Sequence, residues 1–109
     1  MTSTIWTYED FLTYLYLHAM HTDFVMKDEE LEYVLNLVGE EEYRKVEEVF
    51  GKQSDYERSQ TISRLSQRFC QTQEQRDLAI DHLKDLFREN GEFNDVEQAY
   101  LVALRNLLK

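Results

Sequence analysis

Apolar side chains early in the chain recur at intervals of three and four residues: Phe11, Leu12, Leu15, Tyr16, Ala19 and Met20. That period puts them on one face of an α-helix. Tyr8, Tyr14 and Leu17 broaden the face, which predicts a central helix from an N-cap at Thr7 to about His21, with Asp10 in a variant capping box. A loop over 22–27 follows. A second helix, Asp28 to Val38, opens on three acids that suit the positive end of a helix dipole, and Leu31, Val34, Leu35 and Val38 face inward. Gly39 supplies a left-handed stop. The third helix, Glu40 to Phe50, turns Tyr43, Val46, Val49 and Phe50 inward, and Gly51 is expected to end it in the same way. Ser54 with Glu57 forms a capping box that opens a fourth helix. Its stripe is Ile62, Leu65 and Phe69, with Arg58, Arg64 and Arg68 expected outside. Thr72 with Gln75 opens a fifth helix reaching about Glu89, and Asn94 with Glu97 opens a sixth after a loop at 90–93. In the sixth, Val96, Tyr100, Leu101, Val102, Leu104, Leu107 and Leu108 leave little polar face, so burial on most sides is expected.

Part of this pattern occurs twice. When residue 23 is laid on residue 90, Asp28 falls on Asp95, Glu30 on Glu97, Tyr33 on Tyr100 and Leu37 on Leu104. Upstream, Phe11 meets Leu78, Leu12 meets Ala79 and Ala19 meets Leu86. Each copy reads as helix, short acidic loop, helix. The expected architecture is therefore all-α: one domain over 1–109, a compact bundle of about six helices with two pseudo-repeated hairpins. Proline is absent, so nothing in the composition breaks these helices.

Charge narrows the classes of partner. The net charge is −10, and the acids crowd into the first half: residues 1–50 carry 12 acids and 3 bases, residues 51–109 carry 10 and 9. Phosphate contact needs clustered Lys and Arg, so direct nucleic-acid binding is not expected. Glu40, Glu41, Glu42, Glu47 and Glu48 make an acidic surface around the third helix, which is either solvated or a docking patch for a basic protein. Arg58, Arg64, Arg68, Arg76 and Arg88 on the next two helices would make the molecule dipolar, consistent with a monomer or a weak oligomer. No apolar run is long enough to span a bilayer, and the N-terminal residues do not read as a signal peptide. A lone cysteine, Cys70, cannot form an intramolecular disulfide and fits a reducing compartment. A cytoplasmic protein is expected, and not one integral to a membrane.

Hard divalent cations such as Ca²⁺ or Mg²⁺ take six or more oxygen ligands. Asp23, Asp28 and Glu30 around the first loop, and Glu92, Asp95 and Glu97 around the second, are candidate donors. The same carboxylates also suit helix starts: Asp28 and Asp95 complement the dipole, and Glu97 closes a capping box. His18 and His21 can share a helix face, with Asp23 beyond and His82 or a carboxylate a candidate further ligand for Zn²⁺; without a third ligand at known spacing the signal is weak, and two polar positions near a helix end are the plainer reading. Cys70 reads as a small buried residue, and the tyrosines and phenylalanines read mostly as packing. Trp6 either staples onto the first helix or contacts a partner.

The run His18-Ala19-Met20-His21-Thr22-Asp23-Phe24-Val25-Met26-Lys27-Asp28-Glu29-Glu30 resembles the helix–loop–helix signature of TerB-like proteins. In that family a small apolar residue precedes Ala-Asp-Gly-x-apolar, then a capping residue, then Glu three residues on. Glu89-Asn90-Gly91-Glu92-Phe93-Asn94-Asp95-Val96-Glu97 is similar, and keeps the loop glycine and the cap. Phe24 stands in place of the glycine in the first copy, Lys27 in place of its cap, and Asn90 in place of the aspartate in the second. The resemblance implies an all-α domain of bacterial stress-response systems, tellurite resistance among them. It also implies metal binding through the acidic loop residues or a membrane-associated scaffolding role. Carried over by position, it implicates Asp23 and Glu30, with Asn90 and Glu97 as their counterparts.

Three function classes follow. The leading expectation is a non-enzymatic acidic scaffold or sensor, binding a divalent cation at its helix-start loops. The alternative is an inhibitor or immunity-type protein whose acidic half occupies a basic nuclease or nucleic-acid-binding groove. A metal-dependent hydrolase comes last, because no base, nucleophile and ligand set converges in the sequence.

Overall fold

A computed structural model describes residues 6–23, 28–88 and 95–108; within its helices, the side chains of residues 20–23, 28–31, 33, 86, 87, 96 and 97 lie outside the description. Six α-helices make up these residues: α1 (Tyr8–Asp23), α2 (Asp28–Val38), α3 (Glu40–Gly51), α4 (Asp55–Phe69), α5 (Gln73–Arg88) and α6 (Asp95–Leu107). The all-α bundle expected from the periodicity is what forms. None of the described helices is long and apolar enough to cross a membrane.

The organising element is α1. It packs against α2, α3, α4 and α5, and every residue from Asp10 to Leu17 is buried. The apolar side chains among them each contribute roughly 1.5–3 kcal/mol by leaving water. Aromatic rings extend the contact: Phe11 stacks on Phe69 at 5.5 Å between centroids, and Tyr14 meets Phe50 edge-on at 5.3 Å. Trp6 is buried 5.7 Å from Tyr14, so it staples onto the helix that follows it.

The helix starts are set by local hydrogen bonds. Thr7 Oγ1 accepts from the Asp10 amide at 3.2 Å while Asp10 Oδ2 accepts from the Thr7 amide at 3.1 Å. Ser54 with Glu57 and Thr72 with Gln75 do the same for α4 and α5. Each box satisfies two amides that a helix start leaves unpaired. Gly39 serves two helices. Its amide donates to the Leu35 carbonyl at 2.7 Å, ending α2, and its carbonyl accepts from the Tyr43 amide at 3.0 Å, beginning α3. The turn this requires, φ 88°, is glycine territory.

Three expectations need correction. Gly51 is not a left-handed stop. It is the last residue of α3, and among the described residues positive φ occurs at Gly39 alone. The helix closes instead through Lys52 in a right-handed conformation, its amide donating to the Val49 carbonyl at 3.3 Å. The most completely buried helix is α1, not α6. The main contacts of α6 are with α5 and α4, and Val102 on its outer side is 66% exposed. The pseudo-repeat accordingly holds at Leu12/Ala79 and Val34/Leu101, all buried, but not at Phe11/Leu78, where Leu78 is 51% exposed. A helix with neighbours on every side and its copy at the periphery cannot present equivalent faces.

The third correction concerns Arg58, which is buried, not outside. Its guanidinium lies 4.0 Å from the Phe50 ring centroid, and Nε and Nη2 donate to the Phe50 carbonyl at 3.2 and 3.0 Å. It ties the end of α3 to the start of α4. Hydrogen bonds from a charged group are worth about 1.5–3 kcal/mol, so Arg58→Met should destabilise the fold by about 2 kcal/mol. Urea unfolding beside Arg64→Met, an exposed site, checks this; equal effects of the two substitutions would refute the structural role of Arg58.

Candidate functional site

The acidic loop residues come first. Asp23 ends α1, Asp28 and Glu30 lie in the first turn of α2, and Asp95 and Glu97 lie in the first turn of α6. Asp95 is exposed. The side chains of Asp23, Asp28, Glu30 and Glu97, and Asn90 and Glu92 entirely, lie outside the described residues. Among the described residues no three His, Cys, Asp or Glu side chains group as a metal site would require.

The histidines go to different places. His18 Nδ1 is 2.7 Å from the Tyr100 hydroxyl, which donates to the Leu15 carbonyl at 3.3 Å. His82 Nδ1 is 2.9 Å from the Tyr8 hydroxyl. Tyr8 and His18 are ten residues apart on α1, about 15 Å of helix, so His18 and His82 do not converge on one ion. His21 lies outside the described side chains. Cys70 is buried and free, and burial pushes its thiol pKa up. It sits in the apolar core cluster, as a small packing residue does.

The acidic face of α3 does form. Glu40, Glu41, Glu47 and Glu48 are exposed, and three bases run among them. Arg44 pairs with Glu40 at 2.9 Å, Lys45 with Glu42 at 2.6 Å and Lys52 with Glu48 at 3.3 Å. The two exposed pairs, Arg44–Glu40 and Lys52–Glu48, each contribute only a fraction of a kcal/mol.

Beside this face lies an open groove of about 410 Å³, lined by Thr7, Glu9, Asp10, Leu37, Val38, Glu42 and Lys45. Three elements build it: the capped start of α1, the end of α2 and the first half of α3. Asp10 is only 1% exposed. Its Oδ2 takes the Thr7 amide and the Lys45 ammonium, the latter at 3.3 Å. Its Oδ1 is buried and has no hydrogen-bond partner among the described residues. Lys45 bridges Asp10 and Glu42, so a buried and a half-exposed carboxylate share one alkylammonium. Burial alone would lower the Lys45 pKa, but hydrogen bonds and charge from Glu42 and Asp10 outweigh it and raise the pKa. Leu37, 44% exposed, and Val38 form an apolar wall. The groove therefore suits a long side chain with a cationic end.

The sequence pattern identifies Asp10 only as a cap residue. A signal for more was present, since a carboxylate directly precedes the most apolar run of the chain. The pairing of Lys45 with Asp10 carries no local signal, because the two lie far apart in sequence. A second, smaller groove of about 200 Å³ lies between α5 and α6, lined by Ile80, Lys84, Gln98, Leu101, Val102 and Arg105. At its rim Arg105 pairs with Asp77 at 2.6 Å. No family model, curated protein or solved structure matches the chain.

Burial gives the molecule a characteristic alkaline response. It pushes Tyr8 up to about 12 and raises Tyr14, Tyr43 and Tyr100 as well. Tyrosine in an unfolded chain ionises near pH 10. Above roughly pH 10 the unfolded chain therefore releases these protons first, and stability should fall steadily towards about pH 12. Lys45 and Cys70, also raised, act in the same direction. Tyrosinate absorbance should rise at higher pH in the native protein than in urea; coincident titration curves would contradict this.

Proposed function

We propose that the chain is a non-enzymatic acidic binding module, a scaffold or sensor of a stress-response system of the TerB kind, that docks a basic protein partner on the face made by α3 and the start of α1. The observation that carries the reading is the exposed acidic row of α3 beside a groove whose polar walls are mostly carboxylate. Potential of one sign over a contiguous face speeds encounter with an oppositely charged partner and disfavours others. The intrahelical bases of α3 break the row into short stretches. That favours local docking of a basic segment over the inhibitor reading, which asks for an extended ridge of phosphate-like charges.

A divalent cation, Ca²⁺ or Mg²⁺, is proposed at the helix-start loops, with Asp23, Asp28 and Glu30 of one hairpin and Asn90, Glu92, Asp95 and Glu97 of the other as donors. Support comes from the repeat itself: α2 and α6 begin at equivalent residues, Asp28 and Asp95, so both copies present acids at the same step of a helix start.

Two titrations test the parts separately. An arginine-rich peptide of about twenty residues should bind at low salt and weaken at least tenfold on approaching 0.5 M salt, where the Debye length falls to about 4–5 Å. Substituting Glu41, Glu47 and Glu48 together by Gln should weaken binding several-fold; absence of binding at low salt would end the module reading. Calorimetry of metal-stripped protein with Ca²⁺, Mg²⁺ and Zn²⁺ should give heat that an Asp23→Ala, Glu30→Ala variant loses. No heat with any ion, together with an unshifted Tm, would remove the cation, because binding to the native state must raise Tm.

A further inference from the structure

We infer that the groove between the start of α1, the end of α2 and α3 is the anchor pocket for an arginine side chain of the basic partner, with Asp10 as its buried acceptor and Lys45 as an internal occupant that the arginine displaces. This rests on the module reading above and assigns the residue chemistry of its contact.

Asp10, Glu42 and Lys45 all line the groove, and the Lys45 ammonium lies between the two carboxylates at 3.3 and 2.6 Å. The two carboxylates thus meet at one ammonium in the wall of the groove, and the site already holds an alkyl cation. It leaves the Asp10 carboxylate incompletely served, for Oδ1 is buried without a partner among the described residues. An unpaired buried acceptor is costly, and a charged one more so. Lysine is a compact point charge and serves one oxygen of Asp10. A guanidinium presents five donors in a planar fork, so in the place Lys45 vacates it can serve the Asp10 and Glu42 carboxylates together. Leu37 and Val38 supply an apolar wall for the methylene stem. A free amine or metal ion would leave that wall uncovered, which is why the occupant is a side chain on a protein.

Displacement of Lys45 does not strand it. The residue is about one-third exposed, and its ammonium can turn to water while Glu42 pairs with the newcomer. The pocket is thus preloaded: Lys45 neutralises Asp10 in the free protein and competes with weak cations. Binding then depends on a ligand that makes better use of Asp10 than lysine does.

The test is a fluorescence titration of the full chain with the same arginine-rich peptide and its all-lysine counterpart. Lys45→Met removes the internal competitor and should tighten arginine-peptide binding about tenfold. Lys52→Met makes the same change in net charge at a residue 75% exposed, and should tighten it no more than about twofold. Asp10→Asn should weaken binding about tenfold and cancel the gain from Lys45→Met. The lysine peptide should bind the wild type several-fold more weakly than the arginine peptide. Equal effects of Lys45→Met and Lys52→Met, with salt-sensitive binding intact, would overturn the pocket and leave the module standing. Peptides of equal affinity would likewise overturn it. Failure of every protein to bind either peptide at low salt would take down the module and the pocket together. The Lys45→Met arm is a gain in affinity, so loss of folding cannot imitate it.

Discussion

The burial of α1 on all sides is the constraint from which the other features of the molecule follow. A helix with one outward face sends its polar side chains to water. This one has almost no such face between Asp10 and Leu17, and it still carries Asp10, Thr13, Tyr14 and Tyr16 there. Apart from Asp10 Oδ1, which has no partner among the described residues, such groups are answered from within the protein. Thr13 Oγ1 turns back to the Glu9 carbonyl at 2.9 Å. The Tyr14 hydroxyl donates to Gln53 Oε1, and Gln53 passes the chain on to Thr61 of α4 at 2.9 Å. At its two ends α1 engages His82 of α5 through Tyr8, and Tyr100 of α6 through His18. These bonds do more than satisfy polar atoms. They set the register of α4, α5 and α6 against α1, which apolar contacts alone specify loosely.

The features legible in the sequence are those decided within a few residues. The boxes at Thr7, Ser54 and Thr72 need only a side chain three positions away, and all three form. The stop at Gly39 is a property of one backbone position. Arg58 is the opposite case. Its charge argues for the surface, yet it sits four residues before Ile62 and so on the same stripe of α4. Whether such a position is buried depends on what faces it. The Phe50 carbonyl and ring at the end of α3 are visible only once two helices have met. The last helix misleads for the same reason. Composition counts apolar residues, but the number of neighbouring helices decides how many are covered, and α6 has too few.

The candidate site divides along the same line. Clustered acids on α3 are readable as a face because helical period is local. The pocket beside it is not readable, because residues 7–10 are separated by more than a helix from the α2–α3 turn that supplies the other walls. Asp10 satisfies the capping rule so well that its second role is hidden: Oδ2 closes the box while the rest of the carboxylate belongs to the groove. The loop carboxylates stand the other way round. Their spacing is plain in sequence, and the repeat makes it plainer. Spacing on its own does not separate a cation ligand from an acid that merely suits the dipole of a helix start.

The position of Asp10 has an energetic consequence that ties core to surface. At the head of the buried helix, it cannot be moved to water without undoing the box that starts α1. A charge fixed there must be met by a partner from another element, and Lys45 is that partner. A pair of this kind adds little net stability, since desolvation offsets much of the attraction. Loss of one member, however, leaves the other buried and uncompensated. The molecule thus keeps an acceptor in a low-dielectric wall, held rigidly by the core and covered by a lysine that water can still reach. Rigid placement is what the folding constraint supplies, and exchangeability is what the half-exposed lysine supplies. An acidic face of solvated glutamates would have neither, which is why the groove, not the row of acids on α3, is the part of this surface able to discriminate one cationic side chain from another.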